Sequence, residues 1–155
     1  VGYGILHERL VSDERVEVFE RLNIRDAAPI FDKKKFQLLV ADLSFISLRL
    51  VLEDLVALCK EGTSLVLLVK PQFESSHEEA SRARGVIRDP QVWERTLGQV
   101  AEEAARVGAA LQGMVVSPLT GAKGNREFFF HLVNGSKKQL VDIPQELKSM
   151  KLNHE

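Results

Sequence analysis

An apolar run that stops at a single carboxylate constrains this chain more than any other feature of its sequence. Residues 36–47 read FQLLVADLSFIS, and the apolar side chains before Asp42 show no alternation with polar ones. Such a run is typical of a strand buried on both faces of a parallel sheet. A second run, SLVLLV at residues 64–69, ends equally abruptly at Lys70. Because ligands bind beyond the carboxyl ends of parallel strands, we expect Asp42 and Lys70 to lie side by side at one edge of the sheet.

The segment between these two runs has the period of an amphipathic helix. Its apolar side chains recur at the i, i+3, i+4 and i+7 positions, and they are Leu48, Val51, Leu52, Leu55 and Cys59. Gly62 supplies a stop signal after them. The sequence therefore predicts a strand, a helix and a second strand that together form a right-handed βαβ unit.

Other parts of the chain carry weaker signals. Residues 1–4 resemble the end of a strand and its turn, residues 16–19 (VEVF) a short strand, and residues 72–88 an irregular loop. Asp89 followed by Pro90 predicts the start of a helix of about eighteen residues. Two further strands are predicted at residues 114–116 and 127–133, and their connection is too short for a crossover helix, so they should be antiparallel.

The antiparallel pair brings a third charged group to the same edge. If residues 114–116 run parallel to the first two strands, the connection after them lies at the edge that holds Asp42 and Lys70. The returning strand then begins there with Glu127. Three charged residues from distant parts of the chain are therefore predicted to converge.

Composition excludes several classes of protein. The chain has 155 residues, a net charge of −1 and one cysteine, Cys59. It suits one globular domain, and its near-neutral charge requires any nucleic-acid contact to come from a local basic face. No apolar run approaches the roughly eighteen residues of a membrane span. A lone cysteine fits a reducing cytoplasm, and no His, Cys, Asp or Glu group has metal-ligand spacing, so we expect no metal site.

Four sequence blocks, in this order, resemble those of the hemolysin-A/TlyA-like ribosomal RNA methyltransferases. These enzymes belong to the FtsJ-like 2′-O-methyltransferases. The blocks are DLSFIS at residues 42–47, VKPQFE at 69–74, GVIRDP at 85–90 and GAKGNREF at 121–128. The resemblance extends from residue 1 to about residue 133, and the agreement of four separate blocks makes it specific.

This resemblance implies a fold and a catalytic set. The fold would be a Rossmann-like α/β methyltransferase domain over residues 1–135, with a mostly parallel sheet, an antiparallel final hairpin and a tail at residues 136–155. The family uses a Lys-Asp-Lys-Glu tetrad, whose last three members correspond to Asp42, Lys70 and Glu127. A lysine can remove the proton from a ribose hydroxyl only if its pKa is lowered, and adjacent carboxylates position the amine but oppose that shift. Without the first lysine of the set, Asp42 and Glu127 would hold Lys70 in its protonated, inactive form.

The resemblance also implies the ligands. S-adenosylmethionine would bind against Asp42 together with four residues of the first part of the chain, namely Gly2, Tyr3, Asn23 and Ile24. The substrate would be ribosomal RNA or a ribosomal subunit, methylated on a ribose 2′-hydroxyl. Four basic residues on two loops at the same edge are the expected phosphate contacts, namely Arg84, Arg88, Lys123 and Arg126.

Part of the family pattern has no counterpart in these 155 residues. The first lysine of the tetrad, the first strand and the glycine-rich loop that holds the cofactor are absent. We therefore expect the chain to belong to a longer protein and to be inactive alone. The sheet should have a vacant position between the strand near residue 1 and the strand at residue 36.

Other interpretations remain open. Asp42 could only cap a helix, Lys70 could be a strand-end charge, and Glu127 could form a surface ion pair with Arg126. At the level of the whole chain, one alternative is a non-catalytic RNA-binding or ribosome-assembly module. A membrane-active hemolysin is disfavoured, because the sequence contains no long cationic amphipathic helix.

Overall fold

A four-stranded mixed sheet forms the centre of the computed structural model, which describes residues 2–31 and 36–150. The strands are β1 (Phe36–Ala41), β2 (Cys59–Val69), β3 (Ala109–Val116) and β4 (Phe128–Asn134), in the order β1-β2-β4-β3. β1 and β2 are parallel, whereas β4 is antiparallel to both of its neighbours. The carboxyl ends of β1 and β2 therefore meet at one edge, as the sequence predicted.

Short helices surround the sheet, and one long helix packs against it. The helices are α1 (Glu8–Val11), α2 (Ala27–Ile30), α3 (Leu52–Ala57), α4 (Pro71–Glu74), α5 (His77–Arg82), α6 (Pro90–Arg106) and α7 (Ile143–Ser149). Alternate residues of the strands, such as Leu67 and Phe130, join the apolar sides of α3 and α6 in one buried cluster. In contrast, Leu38, Val40 and Val115 are exposed. The prediction that the strand before Asp42 is buried on both faces is therefore wrong, because the helices cover only the face that carries Leu39. The helices thus cover one face of the sheet more completely than the other.

The prediction of a mostly parallel sheet is not confirmed. β3 follows the crossover helix α6, but it does not pair with β2, because β4 lies between them. β4 reaches that position through the short connection at residues 117–127, so each of its two pairings is antiparallel. The predicted antiparallel pair itself is confirmed, and it is longer than the sequence indicated.

The βαβ unit is confirmed, but its helix is shorter than predicted. The helix α3 ends at Ala57 after a 3₁₀ turn at Leu48–Leu50, and Cys59 already belongs to β2. The predictions that Cys59 lies on a helix and that Gly62 ends it are therefore wrong. Cys59 pairs with Phe36, after which the register between β1 and β2 shifts. Gly62 lies in this irregular stretch with φ of 80°.

The loop predicted at residues 72–88 contains two helices. Pro71 begins α4, and Ser76 caps α5 in a reciprocal arrangement in which its hydroxyl binds the Glu79 N–H and the Glu79 carboxylate binds the Ser76 N–H. This Ser-x-x-Glu capping box is a helix-start signal that the absence of a long apolar face obscured.

Neither strand predicted in the first part of the chain forms. Residue 1 lies outside the described residues, and residues 2–4 form no strand. Residues 16–19 have no regular secondary structure and join no sheet, and Val18 and Phe19 are exposed. A strand needs a paired neighbour, and none of the described strands pairs with these segments. The sequence predicted a vacant position between a strand near residue 1 and the strand at residue 36. In the described part of the chain the first of these strands does not form, and β1 is the edge of the sheet.

The helix predicted after residue 89 is confirmed. Asp89 caps α6 by accepting a hydrogen bond from the Gln91 N–H at 2.9 Å, and Pro90 occupies the first helical position. Gly108 follows the helix with φ of 90°, a conformation that favours glycine. This helix precedes β3 and packs against the sheet.

The segment after residue 135 packs against the same core. The Leu140 N–H donates to the Leu111 carbonyl at 2.9 Å, and Val141 and Ile143 are buried. Asp142 caps α7 by accepting from the Gln145 N–H at 3.0 Å.

Within the described residues, no helix has both the length and the apolar character needed to cross a membrane.

Candidate active site

An ion pair joins the ends of the two parallel strands. Asp42 directly follows β1 and Lys70 directly follows β2, and their carboxylate and amine lie 2.6 Å apart. The Lys70 amine also donates to the Ser44 hydroxyl at 3.1 Å. The Lys70 side chain is only 11% exposed, whereas that of Asp42 is 69% exposed. The lysine is therefore held from one side by two oxygen acceptors, at the rim of the sheet.

Glu127 lies next to Lys70 but has a different partner. The last register pair of β2 and β4 is Val69 with Phe128, so one residue further Lys70 lies opposite Glu127. The Glu127 side chain belongs to a residue that is 7% exposed, and its carboxylate accepts from the Gln72 amide at 2.9 Å. Lys70 pairs with Asp42 rather than with Glu127 in the described part of the chain. The three predicted residues are thus adjacent along the rim, but only two are in direct contact.

Gly121 provides the space that the Glu127 carboxylate occupies. A Cβ atom built on Gly121 would overlap the carboxylate, while the backbone of Gly121 has φ of −70°, which any residue can adopt. Glycine is required here by the contact and not by the backbone. Sequence reasoning missed this contact as well as Gln72, whose position two residues after Lys70 was the available signal.

A buried carboxylate connects the two segments that carry the ion pair. Glu74, on α4, accepts from the Ser47 hydroxyl at 2.5 Å and from the Leu48 N–H at 2.7 Å. Arg49 donates to the same carboxylate at 3.3 Å and to the Glu74 carbonyl at 3.0 Å. The turn after Asp42 is therefore fixed against the helix that begins after Lys70. Sequence reasoning placed Glu74 in a motif but assigned it no role.

A cavity of about 770 Å³ opens beside Asp42. Four of the five predicted cofactor residues line it, namely Gly2, Asn23, Ile24 and Asp42, together with Ser44 and several apolar side chains. Tyr3 lies outside this lining, and the Arg21 guanidinium sits 4.0 Å from the centre of its ring. The cavity has the size of a small-ligand site, with apolar walls and a few polar groups at its ends.

An exposed aromatic ring lies close to the lysine. Phe45 is 91% exposed, has a positive φ of 63° and packs against Phe73 with 5.2 Å between ring centres. The Lys70 amine is 5.9 Å from the Phe73 ring. Left-handed backbone at a bulky residue is uncommon and concentrates at functional sites. Such a ring offers a surface on which a nucleobase can stack.

The four predicted RNA contacts lie on two loops. Arg84 and Arg88 are exposed on the loop after α5, Lys123 is exposed on the connection between β3 and β4, and Arg126 is half-buried there. Arg84 and Lys123 both have positive φ. No group of three or more His, Cys, Asp or Glu residues among those described could hold a metal ion.

Comparisons with known proteins show the family of this chain. The FtsJ-like methyltransferase family matches residues 1–134. The chain is 43% identical over 132 residues to the 16S/23S rRNA (cytidine-2′-O)-methyltransferase TlyA of Mycobacterium tuberculosis, which covers 85% of this chain and 49% of that protein. It is 40% identical over 148 residues to the Bacillus subtilis protein YqxC, which carries the name of an rRNA methyltransferase, with coverage of 94% and 52%.

A solved structure is similar as well. A protein from Lactococcus lactis that is named as a hemolysin has a TM-score of 0.87 and 36% identity, covering 96% of this chain and 72% of that one. The chain spans about half the length of the curated relatives it matches. Since the family match extends over most of the 155 residues, the chain belongs to the FtsJ-like methyltransferase family.

Proposed function

We propose that this chain carries the catalytic part of a ribosomal RNA ribose 2′-O-methyltransferase that uses S-adenosylmethionine. The observation that carries the proposal is the ion pair of Asp42 and Lys70 beside a ligand-sized cavity. The TlyA relatives, named as rRNA (cytidine-2′-O)-methyltransferases, support the choice of substrate. We assign the reaction to the cytoplasm, where the ribosomal substrate would be met.

The residues around the cavity fit the cofactor. Apolar side chains such as Ile24 would pack against an adenine ring, while Asn23 and Asp42 offer polar groups for the remainder of the molecule. When bound, the cofactor would supply an electrophilic methyl group on a sulfonium. We propose that Gly2, Asn23, Ile24 and Asp42 hold it, with Tyr3 supporting the wall from outside.

Lys70 is the proposed general base. Lys70 would accept the 2′-hydroxyl proton as the ribose oxygen takes up the methyl group that a bound cofactor would supply. A neutral amine has two N–H groups and one lone pair. The ion pair with Asp42 is that of an ammonium, so Lys70 must lose a proton before it can act as a base. Asp42 and Ser44 would then accept from the two N–H groups of the neutral amine and leave its lone pair for the hydroxyl proton.

Glu127 is proposed to position the reacting ribose. Its buried carboxylate accepts from Gln72 and fills the space that Gly121 leaves open. Glu127 precedes β4 and lies opposite Lys70, the residue after the end of β2. A fixed carboxylate at this point can accept a hydrogen bond from a ribose hydroxyl without reorganisation, which favours catalysis by orientation.

The RNA is proposed to lie over the two basic loops. Arg84, Arg88, Lys123 and Arg126 would form a local basic surface in a chain whose net charge is −1. Phosphate contacts of this kind position the nucleic acid without reading its sequence. Phe45 would then stack against the base next to the methylated ribose.

The activity is proposed for a protein of the length seen in the curated relatives. The test is methyl transfer to ribosomal subunits, followed by nucleoside analysis by mass spectrometry. We expect a methyl group on a ribose 2′-oxygen with the parent protein and far less of it over the same time with Lys70→Ala. A methyl group on a base would contradict the mechanism. RNA binding without methyl transfer, in a protein that binds the cofactor, would instead favour the non-catalytic RNA-binding module.

A further inference from the structure

The two loops with the proposed RNA contacts share an unusual backbone conformation. In each loop a basic residue with positive φ precedes a glycine with positive φ. The values are 51° and 77° for Arg84 and Gly85, and 59° and 85° for Lys123 and Gly124. Left-handed backbone is unfavourable for a residue with a side chain. Such residues persist only where surrounding contacts fix them.

Asn125 supplies contacts to both loops. It is 2% exposed, and its side-chain oxygen accepts from the Ile87 N–H at 3.0 Å. Its side-chain nitrogen donates to the Gly85 carbonyl at 2.8 Å and to the Ala122 carbonyl at 3.0 Å. Both amide hydrogens are used, and an aspartate could not replace them because it has none to donate.

Two of these hydrogen bonds act directly beside the left-handed basic residues. Gly85 follows Arg84 directly, and Ala122 precedes Lys123 directly. The buried side-chain amide of Asn125 therefore bonds the backbone next to Arg84 and the backbone next to Lys123, although about forty residues separate the two loops. Loss of these bonds would leave buried backbone groups without partners, which is costly, so the bonds hold the two loops firmly.

We propose that Asn125 is a positioning residue that joins the loop at residues 84–88 and the loop at residues 122–126 into one phosphate-contacting surface for RNA. This inference rests on the proposed function. Asn125 itself touches no RNA. It fixes the spacing between cations of the two loops, so that RNA binds a surface that is already ordered and less free energy is lost on binding.

The test measures RNA affinity as a function of salt, with an rRNA fragment as the probe and the protein at the length of its relatives. Each phosphate contact contributes close to one to the slope of log affinity against log salt. Asn125→Ala should lower RNA affinity about tenfold and reduce the slope by about one, although it removes no charge. Cofactor affinity should stay at the parental value.

Trp93→Phe is the matched control. The Trp93 indole N–H donates to the Ile87 carbonyl at 3.0 Å, so this change also removes a hydrogen bond from the first loop. It leaves the connection between the loops intact. We expect the salt slope of Trp93→Phe to equal that of the parent, and an equal reduction in both variants would overturn the positioning role.

A double-mutant cycle separates positioning from a general loss of structure. In a Lys123→Gln background one loop no longer contributes its cation, so Asn125→Ala should weaken RNA binding by less than twofold. The same tenfold loss in both backgrounds would overturn the inference. If Asn125→Ala does not fold, the cycle is run with Asn125→Thr, which has a similar side-chain volume, adds no charge and has no amide group to bond both loop carbonyls.

Failure of the proposed function gives a different result. If Arg88→Gln and Lys123→Gln both leave RNA affinity and salt slope unchanged, the basic surface is not the RNA contact, and the inference falls with it. If those variants weaken binding while Asn125→Ala does not, the surface stands and only the role of Asn125 is refuted.

Discussion

The two sides of the candidate active site are built differently. On the side of Lys70, the polar groups are fixed by buried contacts between strands and helices, such as those of Glu74 and Glu127. On the cofactor side, the cavity wall comes largely from residues 2–31, in which Ala27 is the one apolar residue that is fully buried. The proposed catalytic side is therefore held by the core, whereas the wall of the proposed cofactor cavity comes from a segment that covers the core.

This difference separates two kinds of effect. Changes on the catalytic side should lower turnover and leave cofactor affinity close to the parental value. Changes on the cofactor side should weaken cofactor binding and leave turnover at saturation unchanged. Asp42 belongs to both sides, because it pairs with Lys70 and lines the cavity.

Asp42→Ala should have the largest effect. It removes the acceptor that orients Lys70 and a polar group of the cavity wall, so we expect turnover to fall by roughly 10²-fold or more and cofactor affinity to fall as well. Calorimetry and single-turnover methyl transfer measure the two effects separately. A parental cofactor affinity in this variant would show that Asp42 does not contribute to cofactor binding and acts only through Lys70.

Gly121→Ala tests the fixed position of Glu127. The new methyl group would displace the carboxylate, and we expect turnover to fall about tenfold to 10²-fold, since small displacements of a positioning group are costly. Gly98→Ala is the control, because Gly98 lies in α6 with open space around it and alanine favours helices there. Equal turnover in the two variants would refute the role of the contact.

Glu74→Ala should act mainly on stability. It would leave the buried Leu48 N–H without its acceptor, which typically costs about 1–3 kcal/mol of unfolding free energy. Turnover should fall too, because the turn after Asp42 loses its anchor. Glu78→Ala, at an exposed position on α5, is the control in denaturant unfolding. A parental unfolding midpoint for Glu74→Ala would argue against this connection.

Asn23→Ala should have the smallest effect. Asn23 lines the cavity and its side chain accepts from the Arg25 N–H at 3.1 Å, which caps a 3₁₀ turn. We expect cofactor affinity to fall roughly fivefold, in keeping with the loss of a cap. Turnover at saturating cofactor should not change. A loss of turnover would mean that the covering segment also orders the catalytic side.

The sequence was sufficient to predict the parts of the fold that depend on local patterns. The two parallel strands, the final antiparallel pair, the helix after Asp89 and the contact between Asp42 and Lys70 follow from apolar runs, caps and the geometry of parallel sheets. The strand order could not be read in the same way, because the position of β4 depends on which neighbours bury its apolar residues.

The finer contacts of the site depend on side-chain packing across distant segments. The bonds of Gln72 to Glu127 and of Asn125 to Ile87 join residues 55 and 38 positions apart, and no periodicity marks them. The strand predicted at residues 16–19 failed for a related reason, since its β-branched residues favour a strand only when a neighbour pairs with them.

The role of Lys70 is tested most directly by single-turnover methyl transfer to ribosomal subunits, with cofactor affinity measured by calorimetry on the same samples. Lys70→Ala should lower the single-turnover rate by roughly 10²-fold or more, the usual scale for loss of a general base, with cofactor affinity nearly unchanged. Lys60→Ala, at an exposed position on β2, should retain the parental rate. A Lys70→Ala protein with a near-parental single-turnover rate would contradict the mechanism.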